Sequence, residues 1–163
     1  MRIIFALLLG AILTTSVFAQ HEPSEHERHM ADVKRHGTEA MGFDQDKTSH
    51  HFRLYKDGGA VEVRANDAAD TASTEHIRAH LQEQATKFAA GDFSAPQRTH
   101  GQLPPGAATM KKLRSRIHYE YQPLDGGGRL RITTKDHEAL AAVHDFLRFQ
   151  IEDHATGDRA TVE

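Results

Sequence analysis

Period-two alternation of apolar and polar residues occurs twice in this 163-residue chain, each time interrupted by a glycine-rich turn and each time followed by apolar residues at helical spacing. In the first stretch Phe52 and Leu54 alternate with Arg53 and Tyr55. Asp57-Gly58-Gly59 then reverses the chain, and Val61, Val63 and Ala65 alternate with Glu62 and Arg64. In the second, Ile117, Tyr119 and Tyr121 lead to Asp125-Gly126-Gly127-Gly128 and on to Leu130 and Ile132. Successive side chains of a strand point to opposite faces, so this alternation predicts a sheet with one buried and one solvated face, and the glycine turns predict hairpins.

Each hairpin runs into a helical pattern. After a choice of N-caps among Asp70, Thr71 and Ser73, the residues Ile77, Leu81, Ala85 and Phe88 form one stripe, ended by Gly91. After Thr134 or Asp136, Leu140, Val143, Leu147 and Ile151 form the other, ended by Gly157. A polar cap before an apolar stripe and a glycine after it are the ordinary signals for where a helix starts and stops. The expected fold is α+β: two β-hairpin–helix units, ββα-ββα, sharing a four-stranded antiparallel sheet with the helices packed on one face. Asp57 to His76 and Asp125 to His144 span equal intervals, and His51 and His118 open the two hairpins, which suggests a duplicated unit. Aligning the strand cores requires a shift of one residue.

Residues 48–157 read as a single domain, with the first hairpin and helix in 48–91, a connecting loop rich in proline and glycine in 92–106, and the second unit in 107–157, opening on a short helix from about Ala107. Residues 158–163 read as a frayed tail. Residues 20–47 form a polar, histidine-rich arm, disordered or part helical from Glu25 to about Glu39, where His26, His29, Val33 and His36 share a face. Residues 1–19 have the parts of a secretory signal: Arg2, an apolar run from Ile3 to Leu13, and Val17-Phe18-Ala19 as a cleavage site. The expectation is cleavage near Ala19 and release to a periplasm or the medium. No later stretch reaches the roughly twenty apolar residues of a membrane anchor.

Composition narrows the chemistry. The chain has thirteen histidines and no cysteine, and its net charge of −3 with neutral histidines would change sign if all thirteen were protonated. Thiol nucleophiles and disulfides are excluded, and negative charge without a basic stripe argues against nucleic-acid binding. No Gly-x-Ser-x-Gly elbow, phosphate-binding Walker loop or dinucleotide fingerprint is present.

Among the histidines, His76 and His80 stand at i,i+4 on the first helix, a spacing that brings two imidazoles together to grip zinc, copper or nickel. Ile77 follows His76, so the His-Glu-x-x-His protease pattern is absent. His50 and His51 open the first hairpin and could join them, with His51 on the face opposite Phe52. His118 and His144 are additional candidates, although His144 lies near an apolar stripe and suits a core hydrogen bond equally. Met30 and Met41 offer soft thioethers to copper(I). His21, second after the cleavage point, could chelate copper(II) together with the free amine. Phe146 and Phe149 face away from the second stripe and suggest a contact surface.

The leading expectation is an exported carrier, buffer or sensor that binds a divalent copper, zinc or nickel ion through His76, His80, His50 and His51, with binding weakening below about pH 6 as the imidazoles protonate. The alternatives are a non-catalytic module that holds another exported protein or forms a homodimer through Phe146 and Phe149 or the open sheet face, and a small hydrolase or isomerase with His118 or His144 as general base.

Overall fold

The computed structural model describes residues 22–163, so the signal-like segment, its cleavage point and His21 lie outside the described residues. Along the chain come α1 (Glu25–Met41), a 3-10 turn (Gln45–Lys47), β1 (Thr48–Tyr55), β2 (Gly58–Ala65), α2 (Thr71–Ala89) and α3 (Ser94–His100). Then follow α4 (Ala107–Lys112), a second 3-10 turn (Arg114–Arg116), β3 (Ile117–Leu124), β4 (Gly127–Thr134) and α5 (His137–Asp153). The fold is α+β, and the four strands form one antiparallel sheet in the order β1-β2-β4-β3. No helix of the described residues is long and apolar enough to cross a membrane.

The inner face of the sheet carries Phe52, Leu54, Val63, Leu130 and Ile132, all nearly inaccessible, and α2 and α5 close over it with Ile77, Leu81, Val143 and Leu147. The outer face is charged, with Glu62 directly opposite Arg129 and paired to it at 2.7 Å. Each long helix packs chiefly over the other unit's hairpin: α2 lies on β3 and β4, and α5 on β1 and β2. The two units are therefore interlocked, and neither hairpin would have its apolar face covered by its own helix alone.

Register makes the internal correspondence definite. Val61 pairs with Leu130 at the centre of the sheet, Thr48 and Ile117 open the two outer strands, and Gly58 and Gly127 open the two inner ones. The helices correspond through their caps, where the carboxylates of Asp70 and Asp136 accept from the backbone N–H of Ser73 and Ala139. Asp57 is the second residue of its turn and Asp125 the first of its own, so the equal aspartate-to-histidine intervals do not mark equivalent positions. In the helical alignment His76 corresponds to Ala142 and His144 to Arg78.

The paired glycines do more than turn the chain. A Cβ on Gly58 would stand 2.0 Å from the Ile132 carbonyl oxygen, and one on Gly127 equally close to that of Val63, so the central strands approach only with glycine at both places. A Cβ on Gly59 would meet Leu147 of α5 at 2.2 Å, while its counterpart Gly128 faces Leu81 of α2. The second glycine of each pair makes room for a helix leucine.

The expectations for the loop and the tail are corrected, and the arm takes the helical one of its two alternatives. The segment 92–106 is not all loop, since it holds α3, which packs against α1. The arm is helical as far as Met41, opened by a reciprocal cap between Ser24 and Glu27 and closed by Gly42 in the left-handed region at φ 76°. The tail does not fray: the Asp158 carboxylate accepts from Phe52 N–H at 2.9 Å, and Glu163 N–H donates to the Leu54 carbonyl at 2.9 Å, which covers the β1 edge.

Candidate functional site

A cavity of about 70 Å³ lies between the first hairpin and the helices. It collects imidazoles from four separate elements. His50 stands on the inward side of β1, two residues before Phe52. His80 flanks the α2 stripe beside Leu81, His100 ends α3, and His154 caps α5. Met41, the last residue of α1, adds a thioether to the wall, and Gln84 and Gln150 add amides from α2 and α5.

The rings are held by one another. His50 and His154 stack in parallel, with centroids 5.6 Å apart and planes 5° apart, and His100 meets His154 edge-on at 4.9 Å. Buried Phe43 stacks on His50 at 6.0 Å and turns its edge to His80 at 5.7 Å, so a single aromatic ring fixes both. His100 is already committed at both nitrogens: Nδ1 donates to the Asp153 carboxylate at 2.5 Å, and Nε2 lies 3.0 Å from Gln150 Oε1. Asp153 also accepts from His29 of α1 at 2.8 Å. Burial alone would raise the Asp153 carboxyl, but the bonds with His100 and His29 outweigh it and hold the group below its usual range.

Burial sets the charge of the other rings. It lowers His50 to about 4, helped by the neighbouring His80 and His51. It lowers His80 to about 4, against the pull of Glu83, and His154 to about 3, helped by His50 and His100. All three are therefore neutral imidazoles at neutral pH, the form that offers a ring-nitrogen lone pair.

Four buried side-chain polar atoms of the described residues have no hydrogen-bond partner, and three of them belong to residues lining this cavity: His50 Nε2, Gln84 Oε1 and Gln150 Nε2. Leaving one such atom unpaired costs about 1–3 kcal/mol, so their concentration at one cavity calls for an explanation in binding. As the side chains stand, no three histidines or carboxylates among the described residues are grouped to hold a metal ion. A ligand set here needs rotation of a ring or a donor of another kind.

The residues expected from the sequence separate accordingly. His50 and His80 meet at the cavity. His51 points from the other face of β1 to Asp158, with Nδ1 donating at 3.0 Å. His76 is exposed on α2 and does not line the cavity, and His118 is exposed on the outer sheet face. His144 is structural: its Nε2 lies 2.9 Å from the Tyr55 carbonyl and 3.0 Å from that of Gly58, tying α5 to the first turn. The contact surface expected at Phe146 and Phe149 is not an outer face. Phe146 is 2% exposed in the core because α5 is covered on that flank too, and Phe149 packs on His100 at 5.1 Å. His100 escaped sequence reading because it lay in a presumed loop, although Gly101 after it is a helix-stop signal. His154 lies three residues past Ile151, the end of the α5 stripe, and its local sequence does not mark it as a ligand.

Comparison of the chain with protein-family models, with curated proteins and with solved structures found no match to any of them.

Proposed function

We propose that the protein binds one transition-metal ion in this cavity through the imidazoles of His50 and His80, with His154 stacked on His50 beside them. The observation that carries the reading is His50 Nε2: it is sealed from solvent, has no partner, and belongs to a cavity where two further neutral imidazoles converge. Nitrogen donors suit copper, zinc and nickel, whereas calcium and magnesium require oxygen ligands, and no carboxylate lines the cavity. His100, oriented by Asp153 and Gln150, positions His154 by edge contact. A single site on a chain that reads as exported suits a carrier, buffer or sensor of the metal.

The test is titration of the untagged protein with copper, zinc and nickel. The expected result is one ion per chain with Kd of roughly 1 μM or below. His50→Ala should weaken binding at least about a hundredfold, while His76→Ala, at an exposed position, should leave it unchanged. Stoichiometric binding that survives His50→Ala, or no stoichiometric binding at all, would sink the proposal.

A further inference from the structure

Resting on the metal reading above, we infer that the ion is monovalent copper and that the Met41 thioether binds it together with His50 and His80. The first argument is charge. The cavity wall consists of imidazoles, amides, the Thr99 hydroxyl and apolar side chains, with no carboxylate and, in a cysteine-free chain, no thiolate. The cost of burying an ion rises as the square of its charge, so a dication here would pay ~4 times the desolvation of a monocation with no anion in the wall to offset it, the nearest carboxylate, Asp153, being already bonded to His100 and His29.

The second argument is the kind of donor. Among the described residues Met41 is the sulfur that lines the cavity, and thioether with imidazole is a soft set that selects copper(I) over harder ions. Copper(I) is also satisfied by two or three donors, so the lack of a ready group of three histidines and carboxylates does not count against it.

The third argument is how Met41 is held. Its methyl group lies over Gly37, where a Cβ would come within 3.1 Å of it, and its sulfur has only a weak contact from Gln45 Nε2 at 3.9 Å. The side chain is thus directed by packing while its sulfur lone pairs remain available. Access is at hand, because His50 and His154 also line an outer cleft between α1 and β1 that carries Met30. A thioether therefore stands on each side of the same imidazole pair.

The experiment measures copper(I) affinity of the untagged protein without oxygen, by competition against a chromogenic copper(I) chelator, beside zinc(II) affinity by competition against a fluorescent chelator. Met41→Leu keeps the volume and apolar contacts, and the thermal midpoint verifies that it folds. Copper(I) should bind at one per chain and more tightly than zinc(II). Met41→Leu should weaken copper(I) at least about tenfold and move zinc(II) by less than about twofold. X-ray absorption of the copper(I) complex should show a sulfur neighbour that Met41→Leu removes. Copper(I) affinity unchanged by Met41→Leu, or zinc(II) bound more tightly than copper(I), overturns this inference, and the metal reading stands if His50→Ala still abolishes binding. Binding of every metal that ignores His50→Ala overturns both.

Discussion

The two halves of the molecule place rings at matching positions and differ in what those rings are. His50 on β1 corresponds to Tyr119 on β3, and His154 at the end of α5 corresponds to Phe88 in the last turn of α2. Tyr119 and Phe88 meet edge-on at 6.0 Å, and Phe88 stacks on Phe93 at 4.6 Å and meets Phe146 edge-on at 5.9 Å. His50 and His154 stack at 5.6 Å, on the same cavity that Phe88 and Phe146 line. His80 likewise corresponds to Phe146. The glutamines Gln84 and Gln150 correspond to each other and both line the cavity. The scaffold needs a ring at these places but does not need imidazole, since the aromatic half packs without it. The unpaired nitrogen of His50 is the observation on which the proposed metal site rests.

Replacing matched residues tests this contrast most directly. Phe146→Ala should cost about 3–5 kcal/mol by opening a core cavity, whereas its counterpart His80→Ala should cost about 1 kcal/mol or less; urea denaturation of the two variants measures both. Equal losses would mean that His80 is as structural as Phe146 and would remove the distinction between the halves.

Acid should separate the halves next. His50 and His154 titrate near 6.5 in the unfolded chain and at about 4 and about 3 in the folded one, so between those values the unfolded state binds protons that the native state excludes. Stability is then full above pH 6.5 and falls as pH drops towards 4, by up to about 1.4 kcal/mol per pH unit for each histidine. Urea midpoints at pH 7 and pH 4.5 should differ clearly for the native sequence and less for His50→Phe. A profile identical in the two proteins would show that His50 is not held neutral by burial.

At pH 7 His50→Phe should raise stability by about 1 kcal/mol, because it removes an unpaired buried nitrogen, while abolishing metal binding; thermal melting with and without metal checks both. The smallest effect is expected at the matched position. Tyr119→Phe deletes a buried hydroxyl without a partner, one whose ionisation burial pushes well above the usual phenol range. That change should alter stability by less than about 1 kcal/mol, in the stabilising direction, and should leave metal affinity untouched.

The hairpins and the two long helices were legible because period-two and helical spacing reflect side-chain direction alone, which a strand or helix sets locally. The Asp-Gly-Gly signals located the turns but concealed a second duty, since only the paired sheet brings Gly58 against Ile132 and only α5 brings Leu147 against Gly59. The site was half legible. His50 and His80 could be named as metal-binding candidates, but the i,i+4 logic attached His80 to His76, and the helix surface instead leaves His76 in solvent while His80 reaches the cavity. The expectation for Phe146 fails for a similar reason: a stripe drawn on one helix cannot tell that neighbours cover a second flank.

What the amino-acid order determined by itself is therefore local: where strands alternate, where aspartate caps begin the two long helices, that Gly91 follows the end of α2 although α5 stops at Asp153 before reaching Gly157, and that thirteen histidines and no cysteine set the available donors. What only the tertiary structure decided is which of those histidines meet. His50, His80, His100 and His154 come from four elements far apart in the chain, and they converge because each long helix crosses onto the other unit's hairpin. The neutrality of His50, His80 and His154 is decided at the same level, since burial disfavours the protonated ring and burial is a property of the packed whole.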